Sequence, residues 1–428
     1  VAWLAGVFLA YIVGLAHLWA AAEPGWLMAL VASAGLLAAV QIYSTLGRPA
    51  ELVAAPLSRF LAASNRLLPV RRISVALLGC SLVLWVSGWT VALRARARAN
   101  QVGLNLIIIA VDTLREDAVN WHGQHGHDTG LTPNLQRLLA ARATVFSRAF
   151  SQAPWTLPAF ASIFTGLYPE QHGAERSTSQ LLPGQLTLAE ILREAGYLTM
   201  SVVSGHFVSS EVGMTQGFIL RHEPRVFSLQ EVTSPNVTER ALKLLADHRD
   251  GPFFLFVHYF DPHADYRNHS EFAFETGRAW QQANHPGFQP WARFWSGRRQ
   301  PPIDAAGQAE IRALYDEEVA YTDLHIGRLL TFLDENGLWE STCVVLVADH
   351  GEEFLDHGSG GHGHTLFQEL IHVPLLIADP SRDAPAVISD PVETRWIFAT
   401  ILEMLGISPP DQQVPWRTLF ARHQDERH

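Results

Sequence analysis

Apolar positions along the chain fall into two regimes. In the first hundred residues they run unbroken. Residues 1–22 carry no formal charge, 26–43 form a second uncharged run, and 74–93 a third, bounded by Arg72 and Arg94. Each approaches the ~20 residues with which an α-helix crosses the hydrocarbon core of a bilayer. The pattern therefore predicts transmembrane helices at 1–22, 26–43 and 74–93, in a membrane region 1–98. Three runs are too many for a cleaved signal peptide, and no basic leader precedes the first. From Leu104 onward the apolar runs shorten and alternate with helical spacing. Strands are predicted at 106–111, 199–203, 253–259, 343–348 and 373–378. Helices are predicted at 133–143, 188–195 (with Thr187 as N-cap), 237–248, 309–336 and 395–405. Strand–helix alternation over 99–428 implies an α/β domain, a doubly wound sheet with helices on both faces. Residues 265–305 lack a clear period and read as a long insertion near the site, a candidate substrate lip.

Charge orients the membrane region. Arg48, Arg59, Arg66, Arg71 and Arg72 lie between the second and third runs, whereas the loop after the first holds Glu23 and no basic residue. The positive-inside rule places residues 44–72 in the cytoplasm and the domain after about residue 95 outside it, in the periplasm or extracellular space. Arg94, Arg96 and Arg98 count the other way, three against five. The chain begins at Val rather than Met, which leaves room for residues upstream.

Composition removes other classes. Of 428 residues, 48% are hydrophobic and 17% charged, too apolar for a disordered chain. The net charge of −11 gives no positive field for nucleic acid. Cys80 and Cys343 are too few for a disulfide scaffold or a Cys-based zinc module.

Candidate chemistry sits at strand ends, where open α/β sheets place their ligands. Asp112 follows the strand at 106–111, and Asp349 and His350 follow the strand at 343–348. Two carboxylates and an imidazole converging at one sheet edge make a hard-to-borderline divalent-metal site; the same residues also serve as ordinary helix caps. Thr156 precedes Leu157–Pro158 and a short apolar helical stretch ending at Gly166. It lies at a helix N-terminus, which favours an anion, or it is a plain N-cap. A metal-bound hydroxyl there would be an activated nucleophile.

The motifs NLIIIAVDTLRED, TPNL, PWTLPAFASIFTGLYPEQHG, FFLFVHYFDPHADY, VVLVADHGEEF and GHGHTLFQELIHVPLLI occur in that order, followed by ETRWIFATILEMLGISPP. Together, over residues 104–408, they resemble the sulfatase branch of the alkaline phosphatase superfamily. The resemblance implies an alkaline-phosphatase-like fold and a metal-dependent ester hydrolase or transferase. It matches Asp112, Asp349 and His350 to metal ligands, and Thr156 to the nucleophile that also binds the metal. His263 matches the histidine that contacts the transferred oxyanion. His362 falls where the family has a Lys or His near the same group, and His364 is a further candidate there. The resemblance implies one divalent ion (Mn, Mg, Ca or Zn).

Three departures refine this expectation. Sulfatases carry Cys or Ser at the nucleophile, followed by Pro and Arg, for oxidation to formylglycine. Here the stretch is Thr156-Leu157-Pro158-Ala159-Phe160. Threonine would oxidise to a ketone rather than an aldehyde, so no formylglycine is expected. A threonine here resembles the phosphoglycerol and phosphoethanolamine transferase relatives, which also hang an outer domain from membrane helices. Thr113 stands where many sulfatases have a second Asp ligand, and Ser204-Gly205-His206 where many have a Gly-Lys-x-His element. The expected substrate is a phosphate or sulfate ester, lipid- or glycan-linked. The alternatives are a true sulfatase using unmodified Thr156 and an inactive membrane-anchored binding protein.

Overall fold

The centre of the domain is the strand Asn105–Val111 (β1), whose seven residues NLIIIAV are almost wholly buried. Such a run suits a strand covered on both faces. Its side chains alternate accordingly: Ile107, Ile109 and Val111 enter one core, and Leu106, Ile108 and Ala110 the other. The structure is a computed structural model that describes residues 103–119, 130–223, 233–263, 266, 269, 305–410 and 417–421. These belong to a unit that begins at Arg98.

The further strands of the main sheet are Thr144–Phe146 (β2), Leu198–Val202 (β3), Leu220–His222 (β4), Phe253–Tyr259 (β5), Thr342–Ala348 (β6), Leu375–Ala378 (β7) and Ala386–Ile388 (β8). Their spatial order is β8-β2-β7-β6-β1-β5-β3-β4. β1 pairs in parallel with β6 on one side and β5 on the other. The helices are Thr156–Thr165 (α1), Leu188–Glu194 (α2), Ser234–His248 (α3), Ala305–Glu335 (α4) and Ile397–Met404 (α5). α3 and α4 contribute Val237, Leu245, Leu314 and Ile326 to the first core. α1, α2 and α5 contribute Phe160, Phe164, Leu188, Leu192 and Ile401 to the second. Helices thus cover both faces of the sheet, as its hydrophobic pattern requires. Thr187 caps α2, accepting from Glu190 N–H while Glu190 reaches back to the Thr187 N–H.

Two predicted elements are corrected, and one strand of the sheet runs against its neighbours. The sheet is doubly wound, with helices on both faces, and it is mixed: β7 runs antiparallel to both β2 and β6. The predicted strand at 373–378 is broken at Pro374: His372–Val373 pairs with Ala149–Phe150, and only Leu375–Ala378 joins the main sheet. The segment between β6 and β7 holds only the short helix Gln368–Ile371, so no crossover helix carries the chain back to the opposite edge. The chain re-enters where β6 ends and must run antiparallel. The predicted helix at 133–143 is instead a π-helical turn, Leu135–Leu139, followed by the 3₁₀ turn Ala140–Arg142. Its first N–H groups, on Asn134 and Leu135, donate to the Asp323 carboxylate of α4 at 2.9 and 2.8 Å.

Among the described residues no helix is long and apolar enough to cross a membrane. The predicted spans 1–22, 26–43 and 74–93 lie outside the described residues, as does most of the insertion at 265–305.

Candidate active site

The site begins with strand register. Val111 of β1 faces Ala348 of β6, so the residues that follow, Asp112 and Asp349, emerge side by side at the same sheet edge. Asp112 N–H extends the ladder on the other side, donating to Tyr259 O at 2.9 Å. Asp112, Asp349 and His350 are fully buried, and each offers a ligand atom within 4.8 Å of the others. His350 Nε2 lies 3.6 Å from Asp112 Oδ1 and 3.3 Å from Asp349 Oδ2. His350 Nδ1 is 2.8 Å from the Gly351 carbonyl. A carbonyl only accepts, so the proton sits on Nδ1 and Nε2 presents its lone pair to the carboxylates. Thr156 O–H donates to that Nε2 at 3.3 Å.

Burial leaves this cluster incomplete. Asp349 Oδ1 accepts from His350 N–H at 2.9 Å and Thr113 N–H at 3.4 Å. Asp349 Oδ2, both oxygens of Asp112 and the Thr113 hydroxyl have no hydrogen-bond partner among the described residues. His258 Nε2 lies 3.3 Å from Asp112 Oδ2, an electrostatic contact outside hydrogen-bond geometry. Burial opposes charge on Asp112, but His258, His263 and His350 outweigh it and hold Asp112 below the usual carboxylate range. Burial, then the charge of Asp112, pushes Asp349 well above that range. Burial, then His362, pushes His350 down to about 3, so its imidazole stays neutral. Two adjacent, dry carboxylates with orphaned oxygens cost several kcal/mol unless a cation compensates them. Asp112, Asp349, His350 and the Thr156 hydroxyl therefore fit a divalent cation, which would ionise both acids.

α1 positions Thr156. Trp155 is the extended N-cap, Thr156 the first helical residue, and Gly166 closes the helix in the left-handed region at φ 72°. Thr156 is thus inside the helix rather than its cap, with first-turn N–H groups beside its hydroxyl. All ten residues of α1 are buried, which fixes the helix against the sheet. Phe160, at the place of the family's Arg, packs edge-to-face on His258 with ring centres 5.3 Å apart. Ser204 holds the other side of that imidazole, its Oγ 3.1 Å from His258 Nδ1.

The sequence-predicted histidines divide. The His362 ring centre is 4.3 Å from that of His350 and 5.0 Å from that of His263. Both His263 and His362 therefore border the site. His364 does not join them: its Nε2 faces Glu353 at 3.0 Å, and its Nδ1 donates to the His362 carbonyl at 3.2 Å. Sequence reasoning missed Glu352, a fully buried acid. Its Oε1 accepts from His362 Nδ1 at 2.9 Å and its Oε2 from the Tyr266 hydroxyl at 2.9 Å. Burial pushes Glu352 up to about 7. The only available signal was a pair of acids directly after the Asp349-His350-Gly351 turn.

The loop after Asp112 is braced from below. Thr113 adopts φ 54°, a left-handed conformation that costs a β-branched residue about 1–3 kcal/mol. The Tyr315 hydroxyl donates to its carbonyl at 3.0 Å and accepts from Arg115 N–H at 2.8 Å. The Arg115 guanidinium grips Asp117 and Asp356 at 2.7 and 3.0 Å and donates to the Glu352 carbonyl at 2.9 Å. Arg115 thus joins the two loops that carry Asp112 and Asp349, through Asp356 and the Glu352 carbonyl.

Known proteins share this arrangement of chain. The sequence pattern of the family described as Sulfatase matches residues 104–407. Human iduronate 2-sulfatase is 28% identical over 376 residues, covering 74% of this chain and 67% of its own length. Bovine arylsulfatase K is 26% identical over 312 residues, covering 64% and 58%. The chain therefore spans about two thirds or less of these relatives. The fold is similar to that of a phosphonate monoester hydrolase from Silicibacter pomeroyi, with a TM-score of 0.60 and 23% identity over 74% of this chain and 76% of that one. With a family match that takes in β1, α1, β6 and every residue of the buried cluster, the chain belongs to the sulfatase family, the ester-hydrolase branch of the alkaline phosphatase superfamily.

Proposed function

We propose that this sulfatase-family protein is a membrane-anchored, metal-dependent hydrolase or transferase of phosphoesters, working outside the cytoplasm through Thr156. The observation that carries the reading is the meeting of Thr156 Oγ1 with His350 Nε2 at 3.3 Å, beside the orphaned oxygens of Asp112 and Asp349. Asp112, Asp349, His350 and Thr156 would hold a divalent ion, and it would supply a lowered hydroxyl pKa and charge neutralisation on the substrate. The Thr156 hydroxyl gives up its proton to water, and Oγ attacks phosphorus in line as the bond to the leaving oxygen breaks. The group then resides on Thr156 as a covalent ester. His263 donates to the non-bridging oxygens, His362 joins it once Nε2 is protonated in addition to the Nδ1 that Glu352 holds, and one of them protonates the departing alkoxide. Water, or an acceptor alcohol on a lipid or glycan, attacks the Thr156 ester and restores the hydroxyl.

Phosphorus is preferred over sulfur because Thr156 cannot become the aldehyde on which formylglycine chemistry depends. The second reading, a sulfate ester, is favoured by the relatives, which are sulfatases by name. Turnover of an aryl sulfate, a phosphate monoester and a phosphodiester, each with Mn, Mg, Ca or Zn, separates the readings. Thr156→Ala should lower turnover of the best substrate by several orders of magnitude, while Thr156→Ser retains part of it. Near-normal turnover by Thr156→Ala would remove the covalent mechanism.

A further inference from the structure

His258 is a polar ring at the end of an apolar stripe. On β5 it follows Phe254 and Phe256, which enter the second core, and alternation puts it on their face, paired with Ala110 of β1. The ring is fully buried. Phe160 packs on it edge to face, and a Cβ on Gly205 would stand 3.4 Å from its Cε1. Ser204 fixes the tautomer. Its hydroxyl donates to the His258 carbonyl at 2.5 Å, which commits its one hydrogen. Toward Nδ1, 3.1 Å away, the Ser204 oxygen can therefore only accept, and Nδ1 carries the ring proton.

Nε2 is left with a lone pair, and it faces Asp112 Oδ2 at 3.3 Å. Neither atom has a hydrogen-bond partner among the described residues. Two acceptors that meet in a dry interior repel, and a cation beside both turns the repulsion into attraction. His350 has the same design. Its Nδ1 donates to the Gly351 carbonyl, and its Nε2 lies 3.6 Å from Asp112 Oδ1 and 3.3 Å from Asp349 Oδ2. The two imidazoles thus approach Asp112 at its two oxygens, each with the far ring N–H given to an oxygen, as metal-binding histidines do. Ligand atoms held about 2.0–2.2 Å from one ion stand roughly 3–3.6 Å apart, which is the spacing on both sides of Asp112.

We infer that His258 Nε2 is a further ligand of the divalent ion, entering its shell beside Asp112 Oδ2. The inference rests on the proposal that Asp112, Asp349, His350 and Thr156 hold one ion, and it adds the class of that ion. Two imidazole nitrogens with two carboxylates and a hydroxyl make a borderline donor set. Such a set suits zinc or another late transition metal, whereas calcium takes about six to eight oxygens.

Counting the imidazoles on a bound ion tests this without turnover. X-ray absorption is measured on the full chain carrying one equivalent of zinc, where outer-shell scattering reports each coordinated imidazole. The wild type should show two imidazoles and His258→Phe one. Phenylalanine keeps a ring among Phe160, Phe256 and Phe260 but has no lone pair. Zinc titration gives an independent reading. Ser204→Ala removes the acceptor of Nδ1–H and should weaken zinc by about 10- to 100-fold, the usual effect of losing the partner that orients a ligand, and His258→Phe should weaken it more. Calcium should bind the wild type more weakly than zinc, and the gap should narrow in His258→Phe. A single imidazole in the wild type overturns the inference, needs no variant to interpret, and leaves the ion on Asp112, Asp349, His350 and Thr156 standing. Two imidazoles that persist in His258→Phe overturn it as well, by assigning the second ring to another residue. A second zinc held only when His258 is present overturns it in favour of Asp112 bridging two ions. A wild type that holds no zinc or other divalent ion sinks both this inference and the metal proposal beneath it.

Discussion

Glu352 accepts a hydrogen bond from His362 Nδ1 at 2.9 Å, and this directs the opposite edge of the imidazole toward the cluster around His350. The carboxylate is fully buried, and its other oxygen is held by Tyr266. Glu352 touches no reacting atom in this arrangement, so its role is to orient His362.

Glu352→Ala should therefore lower kcat by about 10- to 100-fold, the range seen when the partner that orients a working histidine is removed. Glu352→Gln keeps an acceptor for His362 Nδ1–H and should lose less. KM should change little in either variant, since the oxyanion is still met by His263 and Thr156. A Glu352→Ala enzyme with unchanged kcat would remove the orienting role.

The hydrophobic pattern exposed what hydrophobicity controls. β1 and β6 are uninterrupted apolar runs between polar ends, and Asp112, Asp349 and His350 were visible because they stop those runs; β5 is a like run broken only by His258. The direction of β7 was hidden, because an apolar run reads the same both ways. Glu352 was hidden because a buried acid leaves no periodic trace; only the partners that satisfy it, Tyr266 and His362, mark it as interior. The two histidines of GHGHTL look equivalent in sequence, yet His362 is paired with Glu352 at the site and His364 with Glu353 away from it. Neighbouring acids on one turn divide them, and that division is tertiary.

The metal proposal makes a stability prediction with an unusual sign. Asp349 is pushed well above the usual carboxylate range by burial and by Asp112. A raised folded-state pKa means that stability is fully present below the unfolded value of about 4 and is lost as pH rises toward the folded value. Without metal at pH 7, Asp349→Asn should thus melt at or above the wild-type temperature, since Oδ1 still accepts from His350 and Thr113. Added metal should reverse the order, stabilising the wild type by about 2.7 kcal/mol at a concentration 100 times its Kd. Thermal melts with metal and with chelator read both halves. Equal metal-dependent gains in the two proteins would place the ion elsewhere.

The topology is testable by fusion. The positive-inside rule, applied to the arginines of 44–72, predicts that loop inside and the domain after residue 95 outside. A reporter enzyme active only outside the cytoplasm should work when fused after His428 and fail when fused near residue 60. The opposite pattern would turn the domain to the cytoplasmic side.

The final prediction concerns a histidine away from the chemistry. His172 is 1% exposed, and Gly173 turns the chain after it at φ 76°. Its Nδ1 accepts from Ala174 N–H at 3.1 Å, which requires a lone pair there, and Ser162 Oγ lies 3.1 Å from Nε2. Protonating Nδ1 would break the turn's hydrogen bond and bury a charge. Burial accordingly pushes His172 down to about 4, with the Pro158 carbonyl opposing it only in part. A depressed histidine contributes stability above its unfolded value near 6.5 and loses it as pH falls through the window to about 4. Across that window the protein should lose up to about 3 kcal/mol through this one group. His172→Gln has no proton to gain, so its denaturant midpoint should fall less steeply between pH 6.5 and 4, although it starts lower at pH 7. Parallel pH profiles for the two proteins would mean that His172 is not the group whose protonation opens the turn behind α1.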